Sequence, residues 1–163
     1  MHRSAMTPLA ILVLLGASSL LTACTDEPAD GTGYLQVSDL EDPPLVGHFT
    51  AEPVTVLARV DVTATGCVTV EIDGVERLPV WPTGTTVEQD ATDLDAYVVT
   101  LPGGVVLTTG DSFEGPGVVD DGPGTLTAGS EPDGKVATLV AFCALDAPPV
   151  AFFDAAAIRP VVD

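Results

Sequence analysis

In VTVLARVDVTA, residues 54–64, the even positions are Val54, Val56, Ala58, Val60, Val62 and Ala64, while the odd ones are Thr55, Leu57, Arg59, Asp61 and Thr63. Side chains that alternate apolar and polar every second residue fit a strand with one face buried, because successive side chains of a strand point to opposite sides. After Gly66 a second run, Cys67 to Ile72, places Val68, Val70 and Ile72 on one face and Thr69 and Glu71 on the other. Asp73-Gly74 then turns the chain. A two-residue loop would set Val70 opposite Arg77 and Glu71 opposite Glu76, so side-chain matching favours a three-residue loop, Asp73 to Val75. That register pairs Val70 with Leu78, Val68 with Val80 and Glu71 with Arg77.

Working outward, strands are expected at Ala96 to Leu101 and Val105 to Thr108, separated by Pro102-Gly103-Gly104, and at Lys135 to Cys143. Shorter candidates are Tyr34 to Leu40, Gly117 to Val119 and Pro149 to Phe153. From Gly110 to Gly134 the chain carries seven Gly and three Pro, which opposes a long regular helix there. The one helical signal is Asp154 capping Ala155 to Ile158 before Pro160, a single turn. Short strands joined by Gly and Pro turns predict an all-β domain, a small Greek-key barrel or sandwich, with an OB-like barrel favoured.

The whole chain has 163 residues and a net charge of −19, with 24 acidic side chains against five basic ones. So negative a surface repels phosphate backbones, which excludes nucleic acid as a partner. With 46% hydrophobic residues the chain is nonetheless rich enough in apolar side chains to build a core.

The N-terminus reads differently from the rest. A basic start with His2 and Arg3 leads into an apolar run from Leu9 to Leu21, 13 residues, which is shorter than the roughly 20 that a membrane-crossing helix needs. It ends in Leu21-Thr22-Ala23-Cys24. This tetrapeptide resembles a lipobox, the site at which bacterial lipoprotein signal peptidase cuts before a cysteine carrying a diacylglycerol thioether. The resemblance covers the first 24 residues and implies that residues 1–23 are a signal peptide and that Cys24 carries diacylglycerol and palmitate-type acyl chains. The implied location is the cell membrane, facing the extracytoplasmic side, with the lipid as the link to the bilayer. An ordinary secretory signal is the alternative. Three cysteines are present, and an exported protein favours an even number, so lipidation of Cys24 leaves Cys67 and Cys143 to form a disulfide. Residues 24–33 form an acidic, apolar-poor tether, and residues 34–163 the all-β domain. Because residues 1–23 contain one Arg and no acid, the remainder holds four basic against 24 acidic side chains, a net −20.

Sites of chemistry are few. Gly110-Asp111-Ser112-Phe113, after the apolar Val105-Val106-Leu107, looks like the nucleophile block of the GDSL esterases. Such a serine needs an imidazole base, which that family carries in a downstream Asp-x-x-His pair, and no His follows Ser112. Ser112 is therefore expected in a turn, and the one imidazole outside residues 1–23 that a closed barrel could bring to it is His48. His48 is otherwise expected to be a solvated loop side chain. With residues 1–23 removed His48 is the one His left, which cannot make a zinc site with two disulfide-bonded cysteines, and no cofactor is implied. The acidic runs Asp39, Glu41 and Asp42; Asp90, Asp93 and Asp95; Asp111 and Glu114; and Asp120 and Asp121 match no calcium loop and read as solvated surface, with an ordered calcium site as the minor alternative. Trp81, the single Trp, follows a strand between two prolines. Alternation turns it away from the core, but its size favours packing over the barrel end, and a binding anchor is the alternative. The function expected is a non-catalytic binding or structural envelope module. The alternatives are a small envelope hydrolase using Ser112 and an acidic lipoprotein that binds a cationic protein such as a muramidase.

Overall fold

A computed structural model describes residues 43–130 and 134–162. Cys24, the tether, the candidate strand Tyr34 to Leu40 and the acids Asp39, Glu41 and Asp42 lie outside the described residues. The strand expected over 54–64 is β1, Val54–Val62, followed by β2, Val68–Ile72, and β3, Val75–Arg77. Next come β4, Pro79–Val80; β5, Thr86–Gln89; β6, Tyr97–Thr100; β7, Val106–Thr108; and β8, Ser112–Val119. Helix α1, Lys135–Phe142, precedes β9, Val150–Ala151, and β10, Arg159–Val161. None of the described helices is long and apolar enough to cross a membrane.

The main sheet runs β3-β2-β1-β8-β9-β4, with β10 also paired to β8. Its neighbours are antiparallel except β4 and β9, which pair in parallel through Pro79 with Val150 and Val80 with Ala151. The strands at the two ends of this order, β3 and β4, are separated in the chain only by Leu78, so the sheet curls into a nearly closed barrel. Strands β5, β6 and β7 form a separate antiparallel sheet, and its Val87, Val99, Leu101 and Leu107 join Val60, Val70 and Phe113 in one core. The all-β, barrel-like expectation therefore holds.

On β10, Pro160 sits between Arg159 and Val161, opposite Phe113 of β8. A proline cannot donate to a ladder, and its place on a strand paired along one side only leaves that sheet edge a poor template for a further strand.

Two expectations about the elements fail. The β2–β3 hairpin uses the two-residue Asp73-Gly74 loop, with Val70 opposite Arg77, Glu71 opposite Glu76 and Ile72 opposite Val75. Both loop residues have positive φ, 53° at Asp73 and 75° at Gly74, the backbone of a turn whose twist matches that of the strands. Turn chemistry outweighs cross-strand matching here because the mismatched side chains find other partners. Glu71 accepts from Arg59 Nη2 at 3.0 Å, and Glu76 accepts from Thr69 Oγ1 at 2.7 Å. Arg77 turns away to donate to the Pro148 carbonyl at 2.8 Å, and this partial burial lowers its pKa. Leu78, freed from the hairpin, is buried in a second core together with Val80.

The other failure is Lys135 to Cys143, which is a helix rather than a strand. Apolar residues fill both strand faces of KVATLVAFC, so alternation could not decide the period. The buried set Val136, Ala137 and Val140 is a helical stripe, and Cys143, the C-cap, continues it one turn on. That stripe covers the second core, where Leu45, Phe49, Val118 and Leu145 also pack.

Cys67 and Cys143 are disulfide-bonded, with S–S 2.06 Å and Cα atoms 6.0 Å apart. The bridge ties the turn before β2 to the end of α1. Closing 76 residues of sequence, it is expected to contribute about 2–4 kcal/mol, largely by restricting the unfolded chain. Replacing both cysteines by Ala should lower the urea midpoint accordingly; an unchanged midpoint would show the bridge to be dispensable.

Candidate functional site

Ser112 and His48 are not brought together. Ser112 is the first residue of β8, hydrogen-bonded into the sheet opposite Arg59 and Val161, and the expected turn ends one residue earlier. That turn is closed by Asp111, whose amide donates to the Thr108 carbonyl at 2.9 Å and whose carboxylate accepts from the Thr108 amide at 2.7 Å. His48 Nδ1 lies 2.6 Å from Asp120 Oδ1, just beyond the other end of β8. At about 3.3 Å per residue the strand separates the two sites by roughly 25 Å. Ser112 instead lines a surface cleft of about 340 Å³ with Asp111, Val161 and Val162; this lining holds no imidazole, and the Asp111 carboxylate accepts from the Thr108 amide.

His48 is not the solvated side chain expected from its loop: its side chain is 7% exposed and that of Asp120 is fully buried. Asp120 accepts from the Gly122 amide at 2.9 Å through the same oxygen, and from the Leu126 amide at 2.8 Å through the other. Gly122 is needed because a Cβ there would stand 2.6 Å from His48 Cγ. Beside it, Asp121 accepts from the Thr50 amide at 2.7 Å and the Thr50 hydroxyl at 2.8 Å, which holds its carboxyl below the usual range. These contacts pin residues 48–50 against the end of β8, with Leu45 and Phe49 inserted in the core below. The cluster is a clasp whose carboxylate oxygens are already engaged by the protein.

Trp81 is 1% exposed. Its ring stacks on Phe152 at 5.4 Å and meets Phe113 at 5.8 Å, so the packing favoured by its size is realised in the first core and no exposed ring is left to serve as an anchor.

A second cleft, of about 280 Å³, opens where two turns face each other. One joins β1 to β2. There the Thr63 amide donates to the Cys67 carbonyl at 2.9 Å, the Gly66 amide to the Thr63 carbonyl at 2.9 Å and the Cys67 amide to Thr63 Oγ1 at 3.0 Å. The other turn joins β5 to β6 and explains its own acidic run. Asp90 Oδ1 accepts from Thr92 Oγ1 at 2.6 Å, the Thr92 amide at 2.7 Å and the Asp93 amide at 3.2 Å, and the Thr92 hydroxyl above all holds the Asp90 carboxyl below its ordinary range. Asp93 accepts from the Asp95 amide at 3.1 Å. Two of the three carboxylates thus brace the turn, whereas that of Asp95 has no hydrogen-bond partner among the described residues. Asp95, Leu94 and Tyr97 line the cleft, and the Tyr97 hydroxyl rests against Gly66, 3.5 Å from where a Cβ would be. Leu94 is 69% exposed there, an unusual position for an aliphatic side chain at a turn rich in acids. Gly66, Leu94 and Tyr97 were invisible to periodicity because turns 30 residues apart meet only in the folded chain.

Among the described residues no group of three or more His, Cys, Asp and Glu side chains is placed to hold a metal ion. No family model matches this chain. Comparison with characterised proteins and with solved structures likewise returns no match. The cleft at Asp95 and Tyr97 is consequently read from its own geometry.

Proposed function

We propose that this protein is a lipid-anchored module of the cell envelope that binds or organises rather than catalyses. Residues 1–23 act as the signal peptide, Cys24 carries the lipid, residues 24–33 are the tether and the barrel faces the extracytoplasmic side. The observation that carries the reading is the Cys67–Cys143 bond. Disulfides persist in oxidising compartments, and this one leaves Cys24, after Leu21-Thr22-Ala23, as the remaining cysteine. The described residues contain no patch of cations to hold an anionic bilayer, so attachment falls to the acyl chains, each buried CH₂ adding about 0.8 kcal/mol. The finer reading of the barrel as OB-like belongs to the same proposal and is supported by a curled, partly open sheet that begins with the meander β1-β2-β3. The non-catalytic reading is supported by the strand position of Ser112 and the engagement of His48 elsewhere.

The test is Cys24→Ser. The expected result is a protein that keeps residues 1–23 and loses its acyl chains. An intact mass showing an unlipidated wild-type protein cleaved elsewhere would overturn the assignment. Hydrolysis of short-chain esters that vanishes in Ser112→Ala would overturn the non-catalytic reading separately.

A further inference from the structure

We propose that the cleft between the β1–β2 turn and the β5–β6 turn receives a Lys or Arg side chain of a cationic partner protein, with Asp95 as counter-ion and Leu94 and Tyr97 as its walls. This rests on the reading of the domain as a binding module and assigns that module a place and a ligand chemistry.

Three features of the cleft point the same way. Its volume of about 280 Å³ lies at the lower limit for sites that enclose a small molecule, and suits a single inserted side chain better. On the β1–β2 side its lining is Val62, Thr63, Ala64 and Gly66; on the other side it carries its one carboxylate, its one phenol and a largely exposed leucine, Asp95, Tyr97 and Leu94. That set complements a long side chain with an apolar stem and a charged head, since a guanidinium or ammonium takes a carboxylate and an aromatic ring while its methylenes cover Leu94. The Asp95 carboxylate and the Tyr97 hydroxyl are free of hydrogen-bond partners among the described residues, unlike Asp90 and Asp93 in the same turn. Both walls are held by their own backbone hydrogen bonds, and one leads directly into the Cys67 disulfide, so little ordering is needed on binding.

Charge complementarity selects the partner. No Lys, Arg or His occurs between Arg77 and Lys135, a span that includes the whole β5-β6-β7 sheet. Arg59, the basic residue of β1, is already shared between Asp61 at 3.1 Å and Glu71 at 3.0 Å. An incoming cation therefore meets a field of one sign, which steers encounter, and the cleft supplies the specific contact.

The experiment titrates fluorescein-labelled hexa-arginine into the full-length lipoprotein in neutral detergent, at low and at physiological ionic strength. Asp95→Asn is expected to weaken binding about three- to fivefold at low ionic strength, the upper range for an exposed ion pair. Glu114→Gln removes the same charge from β8 outside the cleft and is expected to change binding by less than about twofold. Asp95 is exposed and its side chain braces nothing, so the Asn variant should melt like the wild type. If both variants weaken binding equally, the peptide is responding to the overall field; the cleft is then overturned while the cationic partner stands. If neither the wild type nor the variants bind the peptide, the cleft and the cationic partner both fall, and the lipid-anchored reading, tested at Cys24, is untouched.

Discussion

Truncating Trp81 to Ala is expected to destabilise the domain by about 3–5 kcal/mol, the range for removing a large buried aromatic whose site cannot collapse. The indole sits at the centre of the first core, 5.4 Å from Phe152 and 5.8 Å from Phe113, which are themselves 5.3 Å apart edge to face. Each such pair adds about 0.5–1.5 kcal/mol beyond the area it buries. The three rings come from the segment after β4, from β8 and from the segment after β9, so they join strands from separate parts of the chain. Collapse around the missing ring would require those segments to move together, against the disulfide and the sheet. Trp81→Phe should recover much of the loss. Urea unfolding of the two variants provides the measurement, and a loss below about 1 kcal/mol for the Ala variant would show that the core can repack.

Asp120→Ala is expected to cost a similar amount, about 3–5 kcal/mol, for a different reason. Its carboxylate is fully buried and receives His48 Nδ1 at 2.6 Å, the Gly122 amide at 2.9 Å and the Leu126 amide at 2.8 Å. Removing one member of a buried polar set leaves its partners desolvated and unpaired, which costs more than the net value of the bonds themselves. Asp120→Asn keeps the volume and one acceptor oxygen and should be intermediate. The local consequence is specific: the amides of Gly122 and Leu126 should lose hydrogen-exchange protection, and residues 45–50 should become susceptible to protease before the barrel unfolds. His48→Ala alone should weaken the clasp less, and the double variant should cost less than the two singles combined, because both act on one contact. Strict additivity would show that His48 and Asp120 are not coupled.

The regions that sequence resolved and those it did not differ in a definite way. Strand β1 was legible because its two faces meet different environments: Ala58 and Val60 are buried while Thr55 and Arg59 are exposed. The Asp154 cap was legible because it is local, with Asp154 Oδ1 accepting from the Ala156 amide at 2.9 Å. Helix α1 was not, since all but two of its residues are apolar, and only the barrel beneath it selects the stripe Val136, Ala137, Val140. The hairpin register failed where two local rules conflicted. Cross-strand matching favoured three loop residues, the Asp73-Gly74 turn favoured two, and the arbiters were Arg59 on β1 and the Pro148 carbonyl, neither of which belongs to the hairpin.

The amino-acid sequence alone therefore determined the strand-rich class, the acidity, the pairing of Cys67 with Cys143 and the lack of any His after Ser112, because each follows from composition, parity or local period. The tertiary structure decided what depends on distant segments meeting. It buried Trp81, which alternation had turned outward, because Phe113 and Phe152 converge on it. It drew His48 from a loop onto Asp120, because Gly122 leaves room for the ring. It also set Tyr97 against Gly66 and brought Asp95 into the same cleft, where the turn of the small sheet faces that of the barrel.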